Sequence, residues 1–255
     1  MTDTLTALIF YGFVALLVLL RFDAKRFGAA DYDDEDANDW RAWLRRLSWY
    51  VFAIGLIVVI YVMAPWPLSV LRLQAGPRLL ETIIVGLALG SIGAFMAVAY
   101  AWIRYRDLRL PPGNRYPAGL LTAIGTAFVD EATFRGIVLG ILLWWGWPNA
   151  LAIGLQAVIY VIATGIARRQ RTLGITAIFL IMALLAAGVT IATGGIGAAF
   201  LGAALTRLAL FLVTGHAGQM RDVETPEEEA VDASDRTPEG WEIVPDHDQT
   251  GGYWH

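Results

Sequence analysis

The sequence of 255 residues contains no cysteine and a single lysine, Lys25, among its 19 basic residues. Without cysteine the chain has no disulfide, no thiol nucleophile and no cysteine-liganded zinc or iron–sulfur site. A single lysine excludes most lysine-based chemistry. Charged residues are also scarce, at 16% of the chain compared with about 25% in an ordinary soluble domain. These scarcities argue against a soluble globular enzyme.

Hydrophobic residues, by contrast, make up 57% of the chain, and the mean hydropathy is +0.55. They gather into runs of roughly 16–25 residues, which is long enough to cross about 30 Å of hydrocarbon at 1.5 Å per residue. The runs cover approximately residues 5–20, 49–64, 79–103, 118–143, 149–166, 173–192 and 195–214. We therefore predict an all-α fold, a polytopic transmembrane bundle of about seven helices.

The charged residues are distributed unevenly along the chain. From Met220 onward there are 11 acidic and two basic residues. This composition predicts a transmembrane domain at 1–219 and a disordered acidic tail at 220–255. The loops after the first, third and fifth runs hold 13 basic residues, whereas the alternate loops hold only Arg72 and Arg78. The positive-inside rule then predicts an N-terminus outside the plasma membrane and a cytoplasmic tail.

Two local features bear on helix packing. Gly86, Gly90 and Gly93 in the third run, and the glycines at 194, 195, 197 and 202, should permit close approach between helices. Residues 40–47, which combine tryptophan with arginine, are interpreted either as a short interfacial helix or as a lead-in to the second helix.

One group of charged residues lies within the fourth apolar run. Ionisable residues inside a membrane segment are costly, so they mark a functional site by default. Glu131 and Arg135 are four residues apart and share a helix face, which allows them to pair. Asp130 points about 100° away from Glu131 and needs a different partner. Arg207 in the seventh run is a second intramembrane charge, and its candidate partners are Asp130, Glu81 and a lipid phosphate.

The sequence Asp130-Glu131-x-x-x-Arg135-Gly136 resembles the Glu-Glu-x-x-x-Arg motif of the CPBP intramembrane proteases. That family comprises the CAAX prenyl proteases and the Abi proteins. The resemblance covers approximately residues 115–215. It implies that Glu131 is the catalytic glutamate that activates a water molecule, with Asp130 and Arg135 completing the motif.

The later motifs of the family depart from its pattern in this sequence. The family has Phe-x-x-x-His on the next helix, and the counterpart here runs from Tyr160 to Thr164. The following motif supplies His and Asn, where this chain has Ala203 and Arg207. The three histidines of the chain, at 216, 247 and 255, lie outside the apolar runs. Thr164 could donate a hydrogen bond but is not a useful zinc ligand, so no metal or cofactor is predicted.

These patterns leave three functions open. The leading prediction is a CPBP-like membrane protein that has lost catalysis and has a structural, binding or regulatory role. Its predicted partners are membrane lipids and a second integral membrane protein, without nucleic acid. The first alternative is an active glutamate-dependent intramembrane endopeptidase, a hydrolase that uses Glu131. The second is a small transporter or lipid-handling protein with a polar path through Asp130, Glu131 and Arg207.

Overall fold

A computed structural model of the protein describes residues 2–29, 40–106, 110–111, 116–164 and 173–214. This part of the chain contains seven helices. They are α1 (Thr2–Phe22), α2 (Trp40–Met63), α3 (Leu79–Tyr105), α4 (116–144), α5 (Asn149–Ala163), α6 (Leu173–Thr193) and α7 (Gly197–Thr214). Short 3-10 helices follow α1 at Ala24–Phe27 and α2 at Leu68–Leu71. The predicted all-α fold of about seven helices is confirmed, whereas the tail at 220–255 lies outside the described residues.

Four of these helices are long and apolar enough to cross a membrane. The candidate spans are Thr4–Phe22, Trp43–Met63, Leu79–Ile103 and Gly174–Thr193, and two shorter apolar helices cover Asn149–Ala163 and Gly197–Val213. Large apolar side chains such as Val62, Phe95 and Ile103 are about three-quarters exposed on the outside of the bundle. Apolar surface of this extent is rare on soluble monomers but needs no cover in lipid. The protein is a membrane protein.

Helices α3 and α7 pack closely through the glycines of α3. A Cβ atom at Gly90 would lie 2.6 Å from Leu205 Cδ1, and one at Gly86 would lie 3.0 Å from the Ala198 carbonyl oxygen. At Gly93 the added atom would overlap the Thr206 side chain. The predicted role of these glycines in close helix approach is confirmed. The contact between Gly93 and Thr206 therefore fixes α7 against α3 at the residue before Arg207.

The loop between α2 and α3 folds back over the middle of α4. The Ile196 amide donates to the carbonyl oxygens of Arg72 and Gln74, at 3.0 and 2.9 Å. A Cβ atom at Gly136 would lie 2.6 Å from Leu73 Cδ2, and Leu71 is fully buried. Because only glycine leaves room here, the loop covers α4 immediately after the charged motif.

Helix α2 begins at Trp40 and runs without a break to Met63. The interpretation of residues 40–47 as a lead-in to the second helix is therefore right, and the separate interfacial helix is wrong. The α2 helix also holds the end of α1 in place. Arg46 Nε donates to the Gly28 carbonyl at 2.7 Å, and Trp49 Nε1 donates to the Leu20 carbonyl at 3.1 Å. The Trp49 hydrogen bond therefore fixes the backbone of α1 directly before Arg21, the residue that follows Leu20.

Candidate functional site

Helix α4 changes its geometry at the charged motif. It is α-helical over Tyr116–Asp130, π-helical over Glu131–Val138 and α-helical again over Leu139–Trp144. At the end of the π-helical segment the Leu139 amide donates to the Phe134 carbonyl, five residues earlier, which is the spacing of a π-helix. Such segments are rare and are frequent at functional sites. The sequence predicted only a regular helix here.

Asp130, the last residue before the π-helical segment, accepts hydrogen bonds from two arginines on other helices. Arg21 Nε donates to Oδ1 at 2.5 Å and Arg21 Nη2 to Oδ2 at 3.3 Å. Arg207 Nη2 also donates to Oδ2. All three side chains are at least 94% buried. The carboxylate therefore binds α1, α4 and α7 together through charge-assisted hydrogen bonds.

The sequence identified Arg207, but not Arg21, as a candidate partner of Asp130. Of the partners considered for Arg207, the structure selects Asp130. Arg21 was counted only as a loop residue that sets the membrane orientation, yet it lies in the last turn of α1 and reaches the site. One feature of the sequence could have pointed to Arg21. Asp130 faces away from Arg135 on the helix and therefore needs a basic partner from another helix.

Glu131 and Arg135 form the predicted ion pair, with Oε1 and Nη1 3.2 Å apart. The pair is poorly aligned for hydrogen bonding, because Arg135 Nη1 and Nε and Glu131 Oε2 are buried without a hydrogen-bond partner in the described part of the chain. The Arg135 guanidinium instead lies over the Tyr160 ring, 4.2 Å from its centroid. That cation–π contact stabilises the charge partly in place of the missing hydrogen bonds.

Tyr160 on α5 connects the two ion pairs. Its ring supports Arg135 and meets Phe134 edge-on at 5.1 Å, and its hydroxyl accepts a hydrogen bond from Arg207 Nη2 at 3.2 Å. The sequence reasoning treated Tyr160 only as the counterpart of the family phenylalanine and missed this role. Nearby on the same helix, Gln156 is fully buried with both amide atoms unpartnered among the described residues.

The two remaining motif positions, Thr164 and Ala203, make few polar contacts with the site. The Thr164 hydroxyl donates to the Tyr160 carbonyl of its own helix at 2.8 Å. Ala203 lines the central cavity with a methyl group. Within the ranges that the structure describes, no group of three or more His, Cys, Asp or Glu side chains could hold a metal ion.

The central cavity lies beside the Glu131–Arg135 pair and Arg207, and its volume is about 20 Å³. It is lined by Glu131, Arg135, Tyr160, Phe179, Met182, Ala186, Ala203, Thr206 and Arg207. A cavity of this size has room for about one water molecule. The unpartnered polar atoms of Glu131 and Arg135 belong to two of the residues that line it, so a water molecule in the cavity would find hydrogen-bonding partners there.

The geometry predicts that the two adjacent carboxylates differ in their contribution to stability. Asp130→Asn should lower the free energy of unfolding by about 3–5 kcal/mol, because it leaves Arg207 buried without its ion-pair partner. Glu131→Gln is the matched control. It should cost less, because Arg135 retains its contact with Tyr160 and Glu131 makes only one ion-pair contact. Denaturant unfolding in detergent micelles measures both, and equal losses would contradict the assignment.

Comparison with protein families gives a match that covers most of the site. Residues 112–209 match the family model described as type II CAAX prenyl endopeptidase Rce1-like. The match includes Asp130, Glu131 and Arg207 but excludes Arg21. Comparisons with curated proteins and with solved structures give no match. The chain therefore contains an Rce1-like domain at residues 112–209, which supports the predicted resemblance to the CPBP family of membrane proteases.

Proposed function

We propose that this CAAX protease-like membrane protein is a pseudoenzyme with a structural, binding or regulatory role. One observation carries the proposal. The position that supplies asparagine in the family holds Arg207, and that arginine binds Asp130 across the bundle. A residue that could assist hydrolysis is thus replaced by one that completes a buried ion pair.

The chemistry of peptide hydrolysis supports the proposal. The reaction needs a base that activates water and donors that stabilise the developing oxyanion. One oxygen of Glu131 lies against the Arg135 guanidinium, so this oxygen is already engaged in an ion pair. Thr164 donates to its own helix backbone, and Ala203 has no polar atom. A volume of about 20 Å³ is also far below the roughly 300–1,000 Å³ of typical ligand pockets.

The second candidate function is an active glutamate-dependent endopeptidase, and one observation favours it. Glu131 Oε2 is unpartnered and belongs to a residue that lines a cavity of water-molecule size, as a water-activating carboxylate requires. The transporter or lipid-handling alternative has no comparable observation in its favour among the described residues, and it stays a prediction.

An activity measurement separates the first two functions. We expect no detectable cleavage of prenylated CAAX peptides or of generic transmembrane substrates by the purified protein. Each missing oxyanion donor lowers the rate by about 10²–10³-fold. The matched variant Thr164→His/Ala203→His restores two imidazoles and is expected to gain at most weak activity. Cleavage by the unmodified protein that Glu131→Gln abolishes would establish the endopeptidase instead.

The charges of the loops support a proposed orientation of the protein in the membrane. We propose that the N-terminus lies outside the plasma membrane, that the tail is cytoplasmic, and that membrane lipids and a second integral membrane protein are the partners. Arg21 is buried against Asp130 and is better assigned to the site than to the loop. The remaining loop arginines still favour the same side.

Reporter fusions test this orientation. Fusions after Asp39, Leu110 and Arg169 should report the cytoplasm, because these positions lie in the basic loops. The fusion after Met220 should report the same side, because Met220 follows the seventh helix. Control fusions after Arg72 and Trp147 should report the opposite side. A signal from outside the cell for the Met220 fusion would contradict the orientation.

A further inference from the structure

The central cavity is lined by both polar and apolar side chains. The polar lining residues are Glu131, Arg135, Tyr160, Thr206 and Arg207. The apolar ones are Phe179, Met182, Ala186 and Ala203. A cavity of about 20 Å³ has room for one water molecule, which is held in place only where two to four polar partners meet it. The occupant of the cavity therefore depends on which hydrogen-bonding atoms the polar side chains leave unused.

Glu131 and Arg135 leave both an acceptor and donors unused. Glu131 Oε2 is buried without a donor, and Arg135 Nε and Nη1 are buried without an acceptor in the part of the chain that the structure describes. Both residues are 2% exposed, so bulk water does not reach them. Buried charged groups without hydrogen-bond partners are costly. A ligand that accepts a hydrogen bond from Arg135 and donates one to Glu131 would remove this cost.

Tyr160 supplies a further donor to the cavity. Its hydroxyl oxygen accepts a hydrogen bond from Arg207 Nη2 at 3.2 Å, and because a guanidinium has no acceptor, the hydroxyl hydrogen is not used in that contact. Among the described residues this hydroxyl makes no second hydrogen bond. The Thr206 hydroxyl, by contrast, donates to the Gly202 carbonyl of its own helix at 2.8 Å. Tyr160 is therefore the lining hydroxyl whose hydrogen is available to an occupant of the cavity.

We propose that the central cavity binds one water molecule, which accepts hydrogen bonds from the Tyr160 hydroxyl and the Arg135 guanidinium and donates one to Glu131 Oε2. Three hydrogen bonds are the usual number for a buried water molecule. Tyr160 is then the positioning residue of this water, because Arg207 holds its hydroxyl in place. The water connects Arg207, and through it Asp130, to the Glu131–Arg135 pair. The inference goes beyond the proposed function and concerns binding alone, so it does not depend on whether the protein cleaves peptides.

A chloride ion is the other small occupant that the arginines of the cavity could attract. It fits less well than water, because it has no hydrogen to donate to Glu131 Oε2 and carries the same charge as that carboxylate. An empty cavity fits less well too, because it leaves buried donors and an acceptor without partners.

Infrared spectroscopy of the full-length protein in lipid bilayers measures this water through its O–D stretching band in D₂O, which shifts to lower frequency in D₂¹⁸O. Ala203→Val fills the cavity and should abolish the band, whereas Ala203→Gly keeps the space and should retain it. Tyr160→Phe removes one donor and should shift the band. Thr164→Val is the matched control on the same helix, and it should leave the band unchanged because the Thr164 hydroxyl donates to its own helix.

Three results of this experiment would overturn the proposal. The first is that no isotope-sensitive band disappears in a folded Ala203→Val variant. The second is that Tyr160→Phe leaves the band unchanged. The third is that replacing chloride in the buffer with gluconate changes the band, since an anion would then occupy the cavity.

A crystal structure of the unmodified protein keeps the proposal testable if Ala203→Val does not fold. At a resolution that shows ordered water molecules, the cavity should contain density at hydrogen-bonding distance, about 2.5–3.2 Å, from both Glu131 and Tyr160. An empty cavity, or density that contacts only the apolar lining residues, would contradict the inference. An anomalous signal in the cavity after bromide replaces chloride would identify a halide site and contradict it as well.

Discussion

Asp130 is 1% exposed in the interior of a membrane protein, and a lone carboxylate in such surroundings costs several kcal/mol. Only countercharges with hydrogen-bonding geometry offset that cost. Arg21 and Arg207 supply them from two other helices. Asp130 therefore joins α1 and α7 to α4 through ion pairs. The packing of α3 glycines on α7 and the hydrogen bond from Trp49 to Leu20 hold the two arginines where Asp130 needs them.

The same interaction joins the N-terminal helix to the family domain. The family match begins at residue 112, so α1 lies outside it, yet Arg21 provides two of the hydrogen bonds to Asp130. Tyr160 then connects Arg207 to the Glu131–Arg135 pair. The four charged positions of the domain and Arg21 thus form one continuous network. In this network Arg207 binds both the Asp130 carboxylate and the Tyr160 hydroxyl.

The fold was predictable from the sequence because the thickness of a bilayer sets the length of apolar runs. The pairing of Glu131 with Arg135 was predictable from local helix spacing. The roles of Arg21 and Tyr160 were not, because their partners are distant in sequence, and no pattern in the sequence marked the π-helical segment. Arg21 is 109 residues from Asp130 in the sequence. Its place beside a basic loop had already explained its charge as part of the signal for membrane orientation. The two interpretations of residues 40–47 had equal support in the sequence, and the unbroken helix from Trp40 to Met63 decides between them.

A double-mutant cycle between Arg21→Gln and Asp130→Asn tests the central role of this carboxylate most directly. Unfolding free energies in detergent should show that the double variant loses at least about 1 kcal/mol less than the sum of the two single losses. The exposed pair Arg26 and Asp23, 3.4 Å apart, is the reference cycle, and its coupling should be close to zero. Additive losses for Arg21 and Asp130, within about 0.5 kcal/mol, would contradict the account.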